Sequence, residues 1–125
     1  MTSALIVPEP RRIYIAHPYT IGDKKENVRH SKEIAQRILE AGHVPINPLL
    51  SHHHEEEFHN EYEVYMRCDF SEILTCHLLY RALGESPGAD REVAFAKRVG
   101  VRIYYDFDQM LCDLKFGKFP DPVLN

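Results

Sequence analysis

"HLLYRALGESPGADREVAFAKRVGVRIYY", residues 77–105, decides how the chain folds. An apolar run over 77–83 reads as a strand. Gly84, Ser86, Pro87 and Gly88 form a turn. A helical pattern then runs over 89–99 and stops at Gly100. A second apolar run, 101–107, follows at once and reads as another strand. Two strands joined through a helix are parallel neighbours, so this stretch predicts an α/β sheet.

The same grammar holds upstream. "IYIAHPY" (13–19) reads as a buried strand entering a loop. A helix is predicted over 24–41. Asn27, Ser31, Ile34, Ala35, Ile38 and Leu39 lie on one face, and Lys25, Arg29, Glu33, Gln36 and Glu40 on the other. Gly42 is its expected C-terminal stop. "HVPINP" (43–48) reads as a short strand whose Pro45 favours a sheet edge. "LLSHHHEEE" reads as a polar connection, 58–75 as a helix and "DQMLCDLKF" as a last helical piece. The order predicts one α/β domain over 1–125, with tails at about 1–10 and 117–125. It is a Rossmann-like or flavodoxin-like parallel sheet with helices on both faces. Ligands of such sheets bind beyond the carboxyl ends of the strands, here at loops 16–24, 47–57 and 83–90.

The totals narrow the function. The chain has 125 residues, 44% of them hydrophobic and 27% charged, as in ordinary globular domains. A formal charge of −4 argues against a general nucleic-acid or anionic-membrane binder. Cys68, Cys76 and Cys112 are odd in number and lack CxxC spacing, which favours a reducing, cytoplasmic setting over a disulfide or zinc framework. The apolar run 4–7, broken by Pro8, is too short for a signal peptide, and no segment has transmembrane length.

Two carboxylates stand where core residues are expected. On a wheel of about 100° per residue, Val93, Phe95, Ala96 and Val99 share a face of the helix 89–99, and Glu92 falls within it. Burying an unpaired carboxylate costs several kcal/mol or shifts its pKa. Glu92 is expected in the first helical turn, where free N–H groups favour an anion. That makes it a candidate nucleophile or base; a cap on its own helix or a lysine pair is the simpler alternative. Asp69 likewise falls inside the stripe of Phe58, Tyr62, Tyr65, Met66 and Ile73, while Glu63, Arg67 and Ser71 point elsewhere. A bond to a nearby tyrosine or backbone group is its plainer reading. Two inward acids on separate helices can divide acid–base and nucleophilic work. Tyr80, Tyr104 and Tyr105 read as core; Tyr14 is placed to orient a carboxylate. "SHHHEEEFH" (51–59) suggests a metal site, but neighbouring residues do not all converge on one ion, and a solvated loop beside the pocket is expected.

These residues resemble the nucleoside 2-deoxyribosyltransferase superfamily, and more closely a branch of small bacterial and phage proteins within it. The resemblance spans about residues 12–106, through "IYIAHPY", "GHVPINPLLSH" and "CDFSEILTCHLLYRALGESPGADREVAFAKRVGVRIYY". Its most specific element is Ser-x-Gly-x-x-x-Glu, formed by Ser86, Gly88 and Glu92. The resemblance implies that Glu92 attacks the anomeric carbon, that Asp69 assists sugar and leaving group, and that Tyr14 positions Glu92. It implies no metal and no cofactor. His17, Tyr19, Asn47, Ser86 and Gly88 are the implied substrate contacts. Ser86, in place of the aspartate common in the transferases, points to a nucleoside 5′-monophosphate and hydrolysis. Base exchange by a deoxyribosyltransferase and a non-catalytic nucleotide-binding module remain alternatives. The loop "HPYTIGDKKEN" has one glycine and no arginine, so Lys24, Lys25 and a helix start would have to hold a phosphate. His77 stands where many relatives carry aspartate. Relatives often borrow a neighbour's C-terminal segment, here "DPVLN", so a homo-oligomer is expected.

Overall fold

The computed structural model describes residues 9–117. The early apolar run 4–7 and the segment 121–125 lie outside the described residues. Strand β1 (Arg12–Ala16) is built from "RIYIA", whose last four residues are buried. Helix α1 (Lys24–Glu40) starts at Asp23, whose side chain accepts from the Lys25 and Glu26 N–H groups. It ends at Ala41, and Gly42 takes the left-handed turn with φ +89°. Strand β2 (Val44–Ile46) follows, then a 3-10 turn (Pro48–Leu50), α2 (Ser51–Glu57) and α3 (Tyr62–Ile73). Strand β3 (Leu78–Arg81), α4 (Pro87–Val99), β4 (Arg102–Tyr104) and α5 (Phe107–Lys115) complete the order.

The four strands are parallel in the order β2-β1-β3-β4. Pro45 pairs with Ile13 from the edge strand, where its missing N–H is tolerated. Alternation along the strands makes two cores. Ile13, Ile15, Leu78 and Tyr80 pack against Ile34 and Ile38 of α1 and Phe107 and Met110 of α5. Tyr14, Ala16 and Leu79 pack on the opposite face against Ile73 of α3 and Ala89, Val93 and Ala96 of α4. The α/β fold with helices on both faces is therefore as the sequence predicts. The connections leave β1 in one direction and reach β3 in the other. The carboxyl ends of these two central strands thus open a crevice between them.

Some boundaries differ. Residues 51–57 are helical, not a loop; only His52 is buried there, so no apolar period marks the helix. The next helix begins at Tyr62, and Phe58, expected in its stripe, ends α2 at 59% exposure. Leu39 and Tyr105 are exposed rather than core. Helix α4 begins two residues earlier than expected, because Ser86 caps it and Pro87 suits its first position.

Candidate active site

Glu92 is 5% exposed, on the face of α4 that covers β1 and β3. The earlier start of α4 puts it in the second helical turn, so the expected hold by first-turn N–H groups is replaced. Its partner is a phenol: Tyr14 Oη donates to Glu92 Oε2. Tyr14 sits mid-strand in β1, fully buried, and reaches the site by the length of its ring. Asp69, half-buried on α3, lines the same cavity as Glu92 and is close enough to interact with it electrostatically. Burial, and then the Asp69 charge, push the Glu92 carboxyl well above its usual range, against the Tyr14 hydrogen bond. Burial also raises Asp69, while the hydrogen bond from Glu92 opposes that rise. The protonated Tyr14 phenol is locked in, raised by burial and by the Glu92 charge. Two carboxyls facing one partly dry cavity disfavour joint ionisation, and both are raised.

The three expected loops do converge. They line a cavity of about 520 Å³ that includes His17, Tyr19, Ser86, Gly88, Asp69 and Glu92. Ser86 Oγ accepts from the Ala89 N–H at 3.1 Å, which fixes the start of α4. Pro87 has no N–H, and the Gly88 N–H has no intrahelical partner at this position. A Cβ on Gly88 would meet Tyr62 Oη at 3.3 Å, so glycine keeps the cavity floor open. Arg81, which the sequence reading overlooked, is 9% exposed at the end of β3. It donates to the Ala82 and Gly84 carbonyls and to Asp90 Oδ1, bracing the turn before Ser86. Its charge also partly offsets the burial of Glu92. A charged residue closing an apolar run looks like an exposed strand end, so only the packed turn reveals it.

His17 is buried, with Nδ1 2.7 Å from the Pro18 carbonyl and Nε2 2.7 Å from His30 Nδ1. Burial lowers its pKa, so the ring is neutral at pH 7. Tyr19 Oη contacts His52 Nδ1 at 2.5 Å. Lys24 lines the cavity, with its ammonium 5.5 Å from the Tyr19 ring centre. Lys25 is exposed, and Asp23 already occupies the α1 start, which leaves that terminus unsuited to a second anion. Asn47 is not brought in with the others. It bonds Ser31 Oγ and the Leu49 N–H and faces an adjoining cavity of about 450 Å³ that shares Asp69. The 51–59 run does not gather on one point. His52 meets Tyr19 and His59 meets Glu55; among the described residues no three His, Cys, Asp or Glu side chains converge as metal ligands. His77 lies at the far end of the sheet, accepting from the Arg12 N–H at 2.9 Å.

Residues 11–106 match the profile of a family described as a domain of unknown function (DUF7768). No curated protein matches the chain by sequence. Among solved structures it is similar to a 2-deoxyribosyltransferase from the psychrotolerant bacterium Bacillus psychrosaccharolyticus. That match has a TM-score of 0.58 and 14% identity, over 90% of this chain and 99% of the other. It is also similar to the CMP N-glycosidase BcmB of Clostridium botulinum, with a TM-score of 0.49 and 18% identity, over 85% of this chain and 99% of the other. The first likeness establishes a shared fold.

Proposed function

The chain belongs to the DUF7768 family, a domain of unknown function, and we propose that it is an N-glycosidase acting on (2′-deoxy)nucleoside 5′-monophosphates. The observation that carries the reading is the buried Tyr14–Glu92–Asp69 cluster on the wall of the 520 Å³ cavity. The likeness in fold to a 2-deoxyribosyltransferase supports it.

The chemistry uses one proton held by the carboxyl pair. As substrate fills the cavity, the proton passes from Glu92 to Asp69 and leaves Glu92 ionised. A Glu92 oxygen bonds to C1′ as the C1′–N bond breaks and its electrons go to the base. Asp69 gives its proton to the departing base nitrogen. Water then attacks C1′ of the glycosyl ester, gives a proton to Asp69 and frees Glu92. The transition state is oxocarbenium-like, and a carboxylate beside it supplies charge stabilisation. Tyr14 orients Glu92 and, by donating to it, favours the ionised form. The Ser86 hydroxyl, the Gly88 N–H and Lys24 are the groups that receive the 5′-phosphate, with His17 and Tyr19 against the sugar.

Chromatography of nucleosides and 5′-monophosphates incubated with the protein tests this reading. Free base plus a sugar phosphate is expected. Exchange onto an added second base would instead make the protein a transferase; tight binding without product would make it a binding module. The reading also expects two or more copies to assemble, which sedimentation checks directly.

A further inference from the structure

We propose that Glu55 reads the base, and that the preferred substrates carry an exocyclic amino group on the base edge remote from the sugar. Cytosine and adenine fit; uracil and hypoxanthine do not. The inference rests on the site being a nucleotide site and goes further by naming the class of base.

Glu55 lines the same cavity as Glu92 but belongs to α2, whereas Ser86 and Gly88 belong to the start of α4. Three donors hold its carboxylate. Tyr65 Oη and the Asn60 N–H, at 3.1 Å, reach Oε2; the His59 ring reaches Oε1. A carboxylate has about four acceptor sites, so one remains. The side chain is 25% exposed and lines the cavity. Tyr65 links Glu55 to the reacting centre. It stands four residues before Asp69 on α3, so the two share a face about one 5.4 Å turn apart. A base leaving C1′ beside Asp69 lies along that turn, with its remote edge toward Glu55. Tyr19, Leu49, Tyr62 and Met66 supply flat or apolar surface around it.

An ionised carboxylate only accepts hydrogen bonds. An amino group facing it gains a charge-assisted bond, whereas a keto oxygen would meet it lone pair to lone pair. The Tyr65 and Asn60 bonds draw the Glu55 pKa down to about 2, so no change in ordinary pH converts it into a donor.

The test uses 2′-deoxycytidine and 2′-deoxyuridine 5′-monophosphates, which differ at this edge by amino against keto. Calorimetric titration is run on the Glu92→Gln chain, which cannot form the glycosyl ester, with and without Glu55→Gln. With Glu55 present, the cytidine nucleotide should bind at least about tenfold tighter. With Glu55→Gln, whose amide can donate or accept, the ratio should fall to near unity at a temperature where circular dichroism shows both variants folded. Equal affinities, no binding of either nucleotide, or a preference that survives Glu55→Gln would each overturn the proposal. Base release is scored separately on the wild type. A Glu55-dependent preference without release sinks the glycosidase reading and leaves the base reading standing. Equal release from both nucleotides does the reverse.

Discussion

Burial holds a proton on Glu92 that the unfolded chain gives up as pH rises past its ordinary value of 4.5. Between that value and its raised folded pKa, the native state binds more protons than the unfolded one. Stability therefore falls as pH rises through this window. Glu92→Gln, which needs no proton, should remove that slope. We expect it to raise the melting temperature at pH 8 by roughly 4 °C, equivalent to about 1 kcal/mol, and to change little at pH 4. Melting curves of both proteins across pH check this. Tyr14→Phe removes the one hydrogen bond known to favour ionised Glu92. Base release should drop by about 100- to 1,000-fold, in the range of lost preorganising donors, and the acidic limb of kcat/KM should move to higher pH. Glu92 and Asp69 were both legible in the sequence, because an acid inside an apolar stripe is visible on a helical wheel. Tyr14 was legible as a phenol able to orient a carboxylate, and the resemblance named Glu92 as the one it meets, which a tyrosine in a strand does not itself reveal. Arg81 and Glu55 were not legible. Arg81 meets two turn carbonyls and Asp90, and Glu55 meets His59, Asn60 and, on α3, Tyr65, contacts that only packing creates.

The start of α4 is the element on which substrate binding turns. Gly88→Ala suits a helix better than glycine, so the fold should hold or gain stability. Its methyl would press Tyr62 Oη at 3.3 Å and narrow the floor. The expected result is a KM severalfold higher with kcat little changed, read by steady-state assay alongside a melting curve. A fall in kcat at constant KM would place Gly88 outside phosphate binding. The helix α2 shows where pattern reading loses an element. Its "SHHHEEE" has no apolar face, and its contribution is polar: Glu55 ties its end to Asn60 and Tyr65. Helices whose stability comes from such ties leave no period for a sequence to show. The boundary of α4 moved for a similar reason, because Ser86 and Pro87 serve at once as turn and as helix start.

For the molecule as a whole, the order β2-β1-β3-β4 sets Tyr14 of β1, Asp69 of α3 and Glu92 of α4 on one side of the sheet. Loops after β1 and β3 close over them at the switch point. Alternation of strands and helices along the chain carried that architecture, and parallel crossovers left few alternatives. The pairing of the two acids sets the expected pH behaviour of turnover. Activity needs one proton on the pair, so kcat/KM should be bell-shaped, with its acidic limb above the ordinary carboxylate range. The most direct test of the account compares base release from nucleoside 5′-monophosphates by the wild type and by Glu92→Gln under identical conditions. The account predicts release by the wild type and a loss of at least about 1,000-fold in the variant, as for other removed nucleophiles. Undiminished release by Glu92→Gln would contradict it.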